Sequence, residues 1–185
     1  MKMKVHKAAT ALALMIAGTA QAGLFSEVES NNTLGTANDL GSFSAPGGSV
    51  IIDGVIEQGD VDWFQFTLTD TASISVFAGF SFSDGADGIL QVVADGGDVI
   101  GFDDDSGVGL MPALQLENLT AGTYFVGMSG FGDVGSGSVD SDDLASGDHS
   151  QNFGYKLNIG FTIVPAPSAM ALLGMGGLVM TRRRR

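Results

Sequence analysis

Short segments in which apolar and polar residues alternate run through most of this chain, separated by clusters of Gly, Asp, Asn and Ser. Alternation with a period of two predicts β-strands that bury one face. In YKLNIGFTIV the apolar side chains from Tyr155 to Ile163 share one face, and in DWFQFTLT Phe64 and Phe66 lie on the face opposite Trp63. The predicted strands are Ser49–Ile56, Val61–Thr69, Ala72–Ala78, Ile89–Ala94, Val99–Phe102, Leu114–Leu119, Thr123–Met128 and Tyr155–Val164.

The pattern predicts an all-β domain, because no segment between the two ends of the chain has a convincing helical period. About eight short strands with Gly-rich turns favour an antiparallel β-sandwich, either of jelly-roll or of immunoglobulin-like type. The segment Gly130–Gly154 is rich in Gly, Ser and Asp and almost free of apolar residues. We therefore expect an extended, mobile loop between the last two strands.

The first 22 residues have the features of a signal peptide. Three lysines precede the apolar run Ala8–Ala17, and the small residues Ala20 and Ala22 frame an A-x-A cleavage site. We therefore expect signal peptidase to cleave before Gly23, which makes this an exported protein.

The charge of the predicted domain is extreme. Residues 23–163 contain one lysine, no arginine and all 21 acidic residues, a formal net charge of −20. Such a surface repels nucleic acid and anionic lipid, so neither is an expected partner. It also repels itself, and bound divalent cations or a salty environment would relieve that repulsion.

The residue inventory argues against catalysis. The chain has no cysteine, which excludes thiol chemistry, and His149 is the single histidine after the predicted cleavage site. We interpret His149 as a solvated loop residue rather than a general base, because a catalytic triad needs a base that an acid positions. A hydrolase that uses a pair of carboxylates stays a less favoured alternative, since any pair is uninformative among so many acids.

Two distant segments carry oxygen ligands suited to calcium. The segment EVESNNT precedes the first predicted strand, and GDVDW places two aspartates on alternate residues at the start of the next strand. Carboxylate and amide oxygens from separate segments match the six to eight oxygen ligands of calcium. The candidate ligands are Glu27, Glu29, Asn31, Asn32, Asp60 and Asp62. The other conspicuous acidic run, FDDDSG at Asp103–Asp105, we interpret as a hairpin turn.

The segments ESNNTLGTANDL, GVIEQGDVDWFQFTL, LENLTAGTYFVGMSG and GYKLNIGFT together resemble the bacterial pre-peptidase C-terminal domain. The resemblance covers about residues 27–163 and implies a β-sandwich of jelly-roll type, usually an accessory module beside a secreted protease. Calcium binding by the related collagen-binding modules of clostridial collagenases implies the same six candidate ligands here. Spacing in the G-D-x-D motif varies among relatives, which leaves Asp60 and Asp62 as alternatives. The aromatic surface for collagen is not evident, so collagen is not an expected ligand.

The end of the chain, residues 164–185, is similar to a PEP-CTERM sorting signal. It has Pro165, Ala166 and Pro167, then a short apolar run, then Arg182, Arg183, Arg184 and Arg185. The resemblance implies recognition by exosortase, a membrane transpeptidase of bacteria that make extracellular polysaccharide. Alanine stands where the usual motif has glutamate, which leaves the sortase subclass open.

The length of this tail favours a transient membrane helix. The uncharged run Ser168–Thr181 has 14 residues, fewer than the roughly 20 that a stable span needs. Four arginines favour a cytoplasmic C-terminus, with the domain outside. A permanent anchor or a last element of the fold are the less favoured alternatives.

These patterns together predict a non-enzymatic protein with a structural or adhesive role, held briefly at the inner membrane and then delivered to the cell surface or extracellular matrix. Extracellular polysaccharide is its candidate partner, and calcium its expected ion. The alternatives are a secreted adhesin for carbohydrate or protein and, less favoured, the carboxylate hydrolase.

Overall fold

A computed structural model describes residues 21–82, 85–133 and 143–163, without the side chains of 21, 22 and 80–82. The predicted signal peptide, apart from the backbone of Gln21 and Ala22, and the predicted sorting tail lie outside these residues. Within them, no helix is long and apolar enough to cross a membrane.

Ten strands form in the described parts of the chain, together with one 3-10 turn at Leu34–Thr36. They are β1 (Gln21–Ser26), β2 (Asn38–Phe43), β3 (Gly47–Ile56), β4 (Val61–Leu68), β5 (Ala72–Phe82), β6 (Gly88–Ala94), β7 (Val99–Asp103), β8 (Ala113–Leu119), β9 (Gly122–Gly130) and β10 (Phe153–Ile163). The eight strands predicted from the sequence correspond to β3–β10, each within a few residues of its predicted bounds.

Two five-stranded sheets pack face to face, which confirms the all-β sandwich. Sheet A has the order β1-β3-β10-β5-β8, and sheet B has the order β2-β4-β9-β6-β7. The expectation of wholly antiparallel sheets is wrong at two pairs, because β1 pairs with β3 and β2 with β4 in parallel. The first four strands alternate between the sheets and reverse direction at each step. β1 and β3 are therefore parallel in sheet A, and β2 and β4 are parallel in sheet B. The connection within each pair passes through a strand of the other sheet.

The main core fills the space between the sheets. Phe43 from β2 stacks on Phe161 from β10 with ring centroids 3.8 Å apart, and Phe66 meets the same ring edge-on at 5.1 Å. Aromatic pairs in these arrangements add to the stability that comes from burying their area. The inward face predicted for YKLNIGFTIV is confirmed, since Tyr155 through Ile163 alternate between buried and more exposed.

A second, smaller core covers the outer face of sheet B. Trp63 lies there with Val61 and Phe125, as the sequence pattern of DWFQFTLT predicts, and Ala145 packs onto the cluster. Leu34 and other residues of the segment before β2 pack against its margin. Sheet B is therefore buried on both faces, whereas the outer face of sheet A has no such cover among the described residues.

The contact between Gly127 and Trp63 yields a stability prediction. A Cβ atom added at Gly127 would lie 2.5–2.8 Å from three carbons of the Trp63 ring. We expect Gly127→Ala to lower the free energy of unfolding by about 1–3 kcal/mol, because the indole must shift in a packed cluster. Urea denaturation measures this. Gly79→Ala is the control, since a Cβ there meets nothing within 4 Å, and an equal loss in both variants would contradict the packing argument.

Candidate functional site

The candidate ligands lie at the end of the sandwich where the chain leaves β1 and where β3 turns into β4. The Glu27 N–H donates to the Asp53 carbonyl at 3.1 Å, and the Trp63 N–H donates to the Asn31 carbonyl at 3.1 Å. These bonds attach the segment after β1 to both β3 and β4. The side chains of the EVESNNT segment therefore face the residues at the start of β4.

Three carboxylates converge at this place. Glu27, Glu29 and Asp62 each offer an oxygen atom, and the three atoms lie within 4.8 Å of one another. Asp62 is wholly buried, Glu27 is half-buried and Glu29 is exposed, so the cluster extends from the interior to the surface. The Val55 N–H donates to both Glu27 carboxylate oxygens at 3.0 and 3.1 Å, which holds that side chain against β3.

Tyr155 of β10 forms the floor of the cluster. Its hydroxyl donates to Asp62 Oδ2 at 2.7 Å and lies 3.2 Å from Glu27 Oε2. A Cβ at Gly54 would collide with this hydroxyl and with Glu27, so a glycine is needed where β3 passes the cluster. The sequence pattern assigns Tyr155 to the apolar core, and nothing in one strand signals the polar contact of its hydroxyl.

Asn31 is the fourth member of the cluster. Its side chain is wholly buried, with the amide 3.1 Å from Asp62 Oδ1 and 3.2 Å from Glu29 Oε2. With the amide nitrogen toward these oxygens, Asn31 donates to both carboxylates. With the carbonyl oxygen toward them, oxygens from three side chains face one another, an arrangement that needs a bound cation or a proton on one carboxylate.

Asn32 and Asp60 form a pair beside the cluster rather than within it. The Asn32 amide donates to Asp60 Oδ1 at 2.7 Å, and the buried Asn32 Oδ1 has no hydrogen-bond partner. Both residues line an open depression of about 400 Å³, together with Glu27, Glu29 and Glu57. Of the two alternative aspartates, Asp62 is therefore the one in the three-carboxylate cluster, and Asp60 lies at its rim.

Burial, together with the neighbouring acids, raises the pKa of two carboxyl groups in the cluster. Burial raises the pKa of Asp62 from 3.8 to about 10, with Glu27 beside it and Asp60 adding to the shift and Tyr155 opposing it. Burial and the nearby Asp60 raise the pKa of Glu29. At neutral pH the metal-free cluster therefore retains a proton, and Asp62 shares it with Glu27 as a hydrogen bond.

The raised pKa of Asp62 predicts an unusual pH dependence for the metal-free protein. A carboxyl that holds its proton more tightly when folded stabilises the fold below its unfolded pKa of 3.8 and loses that effect as pH rises toward 10. We expect the melting temperature in EDTA to fall steadily between about pH 5 and pH 9. Asp62→Asn mimics the protonated form and should give a flatter profile. A wild-type profile as flat as the variant's would contradict this prediction.

The donor set suits a hard cation. Three carboxylates converge, and in one orientation of its amide Asn31 adds a carbonyl oxygen; these are the ligands that calcium prefers. The single described lysine, Lys156, lies elsewhere on sheet A, paired with Asp53 at 2.9 Å. No cationic side chain of the described residues therefore competes for the cluster.

Comparisons with known proteins reveal distant structural likeness only. No family model matches the chain, and neither does any curated protein. Among solved structures, the pre-peptidase C-terminal domain of collagenase from Bacillus anthracis is 13% identical, with a TM-score of 0.44 over 66% of this chain and 93% of that one. The lysozyme inhibitor PliG of Aeromonas hydrophila is 14% identical, with a TM-score of 0.45 over 77% of this chain and all of that one. The Yersinia pseudotuberculosis-derived mitogen is 14% identical, with a TM-score of 0.42 over 65% and 89%.

The predicted loop is present in its described parts, residues 131–133 and 143–152, and hydrogen bonds hold part of it against sheet B. The Asp133 carboxylate accepts hydrogen bonds from the backbone N–H groups of Ser146, Gly147 and Asp148 at 2.9–3.0 Å and from the Ser129 hydroxyl at 2.6 Å. The buried Gln91 side chain bonds the Asp143 carbonyl and the Ala145 N–H. These contacts hold residues 143–149, here called the strap, against sheet B. Neither Asp133 nor Gln91 has a sequence signal for this role.

His149, at the end of the strap, is not a solvated residue as the sequence suggests. Its Nε2 lies 2.8 Å from the Asp60 carbonyl, and its Nδ1 accepts a bond from the Gln151 N–H at 3.1 Å. A carbonyl can only accept, so Nε2 carries the proton and both ring nitrogens are engaged. His149 therefore ties the strap to the turn that carries Asp60.

The acidic run FDDDSG is not the predicted hairpin turn, because β7 belongs to sheet B and β8 to sheet A, and the run begins the loop that crosses between them. Asp103 ends β7, and its carboxylate accepts bonds from the Ser106 hydroxyl at 2.6 Å, the Ser106 N–H at 3.1 Å and the Ala113 N–H at 2.8 Å. These bonds close the loop before β8, which gives Asp103 a structural role.

Proposed function

We propose that this protein is an exported, non-enzymatic β-sandwich that calcium stabilises and that exosortase delivers to the cell surface or the exopolysaccharide matrix. The observation that carries the calcium part is the convergence of Glu27, Glu29 and Asp62 around the Asn31 amide. Repulsion among these groups needs a proton or a cation to offset it, and calcium in the extracellular range is a ready source.

The residues that would hold calcium are Glu27, Glu29, Asn31 and Asp62, with Asn32 and Asp60 at the rim. Asn32 Oδ1 is buried and lacks a hydrogen bond, so it is a further oxygen that an ion can satisfy. A bound ion would supply positive charge between segment 27–32, which connects the two sheets, and segment 60–62 at the start of β4. Tyr155 donates a hydrogen bond that orients the Asp62 carboxylate.

A non-enzymatic role is supported by the state of two groups that could act as bases, His149 and Asp62. Both nitrogens of His149 are engaged, and Asp62 is buried and protonated in the metal-free protein. Neither group is free to accept a proton from a substrate at the surface.

The sorting part rests on the sequence of the two ends. Cleavage after Ala22 would leave Gly23–Ser26 of β1 to pair with β3. Exosortase would then recognise the sorting signal, which consists of the Pro165–Pro167 motif, the short apolar run and the arginines.

Expression of the full chain in an exosortase-positive host tests the sorting. We expect the mature protein to begin at Gly23, to lack residues 168–185 by mass spectrometry, and to leave the cell membrane. A variant with all four arginines changed to serine is the matched control and should stay unprocessed. A mature protein that keeps residues 168–185 would contradict the proposal.

A further inference from the structure

The outer face of sheet A is the one broad face of the sandwich that the described residues leave uncovered. The outer face of sheet B lies under the second core and the strap. On sheet A, by contrast, outward side chains such as Leu24 and Phe77 are 88% and 50% exposed. An apolar surface that neighbours do not cover is a candidate contact surface.

The strand register places the outward side chains of sheet A in rows, and this outer face is here called the platform. Leu24, Ile51, Asn158 and Phe77 stand side by side on β1, β3, β10 and β5. The adjacent row consists of the small or uncharged residues Ser49, Gly160, Ser75 and Gln115. Phe77 is flanked along its own strand by Ser75 and by Gly79, where a Cβ would meet nothing within 4 Å. The half-exposed Phe77 ring therefore has open space beside it on the Gly79 side.

The charge of the platform differs from that of the whole domain. Its charged members are Glu117 and the ion pair Lys156–Asp53, whose two charges offset each other. The carboxylates of the cluster lie at the loop end, and the domain carries a formal net charge of −20. An anionic ligand is repelled by the domain, and a second copy is repelled for the same reason. The face favours a neutral partner.

We propose that this platform binds a neutral polysaccharide, with one sugar ring lying flat on Phe77. One side of a pyranose ring presents C–H groups, which pack on an aromatic face, while its hydroxyls project around the rim. Asn158, Ser75 and Gln115 surround Phe77 in register and offer amide and hydroxyl groups to those hydroxyls. Binding of a neutral polysaccharide goes beyond the proposed function, and this binding depends neither on calcium nor on the sorting tail.

Affinity electrophoresis of the exported protein tests this proposal. Native gels contain a β-1,4-glucan (hydroxyethylcellulose), a β-1,3-glucan (laminarin), a galactomannan or the anionic alginate. We expect retardation by at least one neutral polymer and none by alginate. Phe77→Ala should weaken the dissociation constant at least about tenfold, as loss of a central aromatic contact does, and Phe77→Trp should keep binding.

Phe131→Ala is the matched control, because Phe131 is 40% exposed but lies after β9 at the loop end, away from the platform. It should bind as the wild type does. Retardation by none of the neutral polymers, or equal binding by Phe77→Ala, would overturn the proposal. The proposal would also be overturned if Phe77→Ala changed only self-association, measured by sedimentation, because the face would then join two copies of the protein. EDTA and tail removal should leave binding unchanged, which separates this test from those of calcium and sorting.

Discussion

Calcium is expected to raise the melting temperature of the EDTA-treated protein by roughly 5–10 °C, and Asp62→Asn is expected to abolish that rise. Extracellular calcium sites have dissociation constants of about 0.1–1 mM, so 10 mM calcium contributes roughly 1.4–2.7 kcal/mol. In a domain of this size each kcal/mol shifts the melting temperature by a few degrees. Differential scanning fluorimetry with and without calcium measures the effect.

The choice of asparagine separates loss of the ion from loss of the fold. In the metal-free protein Asp62 is protonated, so the amide that Asp62→Asn introduces can donate to Glu27 much as the carboxylic acid does. Asp62→Asn should therefore melt in EDTA at or above the wild-type temperature while losing the calcium response. Glu117→Gln removes one exposed acid from β8 and is the charge-matched control. A full calcium response in Asp62→Asn would refute the site, as would the loss of that response in Glu117→Gln.

Asp133→Ala is expected to lower the free energy of unfolding by about 2–4 kcal/mol, because it removes the common acceptor of the strap. Burial alone raises the pKa of Asp133, but hydrogen bonds from Ser129 and the backbone of Gly147, Ser146 and Asp148 outweigh it and lower the pKa. The contribution of the ionised carboxylate is therefore present above the unfolded pKa of 3.8 and is lost as pH falls through the lower folded value.

Urea denaturation at pH 7 and at pH 3 measures the difference in the free energy of unfolding between the wild type and Asp133→Ala. This difference should be smaller at the lower pH. Asp148→Ala is the matched control, since it removes an exposed acid from the strap itself and leaves its backbone N–H in place. If backbone hydrogen exchange at Ser146–Asp148 is faster in Asp133→Ala but not in Asp148→Ala, the loss of stability comes from the strap. An equal loss in both variants would show that total charge, and not the bonds to Asp133, governs stability.

The eight strands β3–β10 could be predicted because most of them bury one face, and burial imposes a period of two on the sequence. β4, β6 and β9 of sheet B are buried almost throughout and are recognisable instead as short apolar runs between turn residues. β1 and β2 could not be predicted. Both are edge strands, and β1 overlaps the predicted cleavage site. β2 contains Asp39 and Gly41, and its burial does not alternate clearly. Their parallel pairing depends on which sheet each strand joins, and a local pattern carries no information on that choice.

The residues of the candidate site were likewise only partly predictable from the sequence. Glu27, Glu29, Asn31 and Asp62 were predictable because oxygen-rich side chains stand out beside strands in the sequence. Their partners were not, since the Tyr155 hydroxyl reaches Asp62 across 93 residues and Gln91 reaches the strap across more than 50. Each of these partners looks like an ordinary strand residue until the sheets are assembled.

The sequence by itself determined the all-β class, the inward face of most strands, the acidic charge and the set of candidate oxygen ligands, because each follows from composition or from a period of two. Only the tertiary structure decided that Asp62 rather than Asp60 enters the cluster, that Asp133 and His149 hold the strap, and that no other described residue covers the outer face of sheet A. The physical reason is distance along the chain: these features join residues from strands that pair or pack only after the two sheets have closed on their common core.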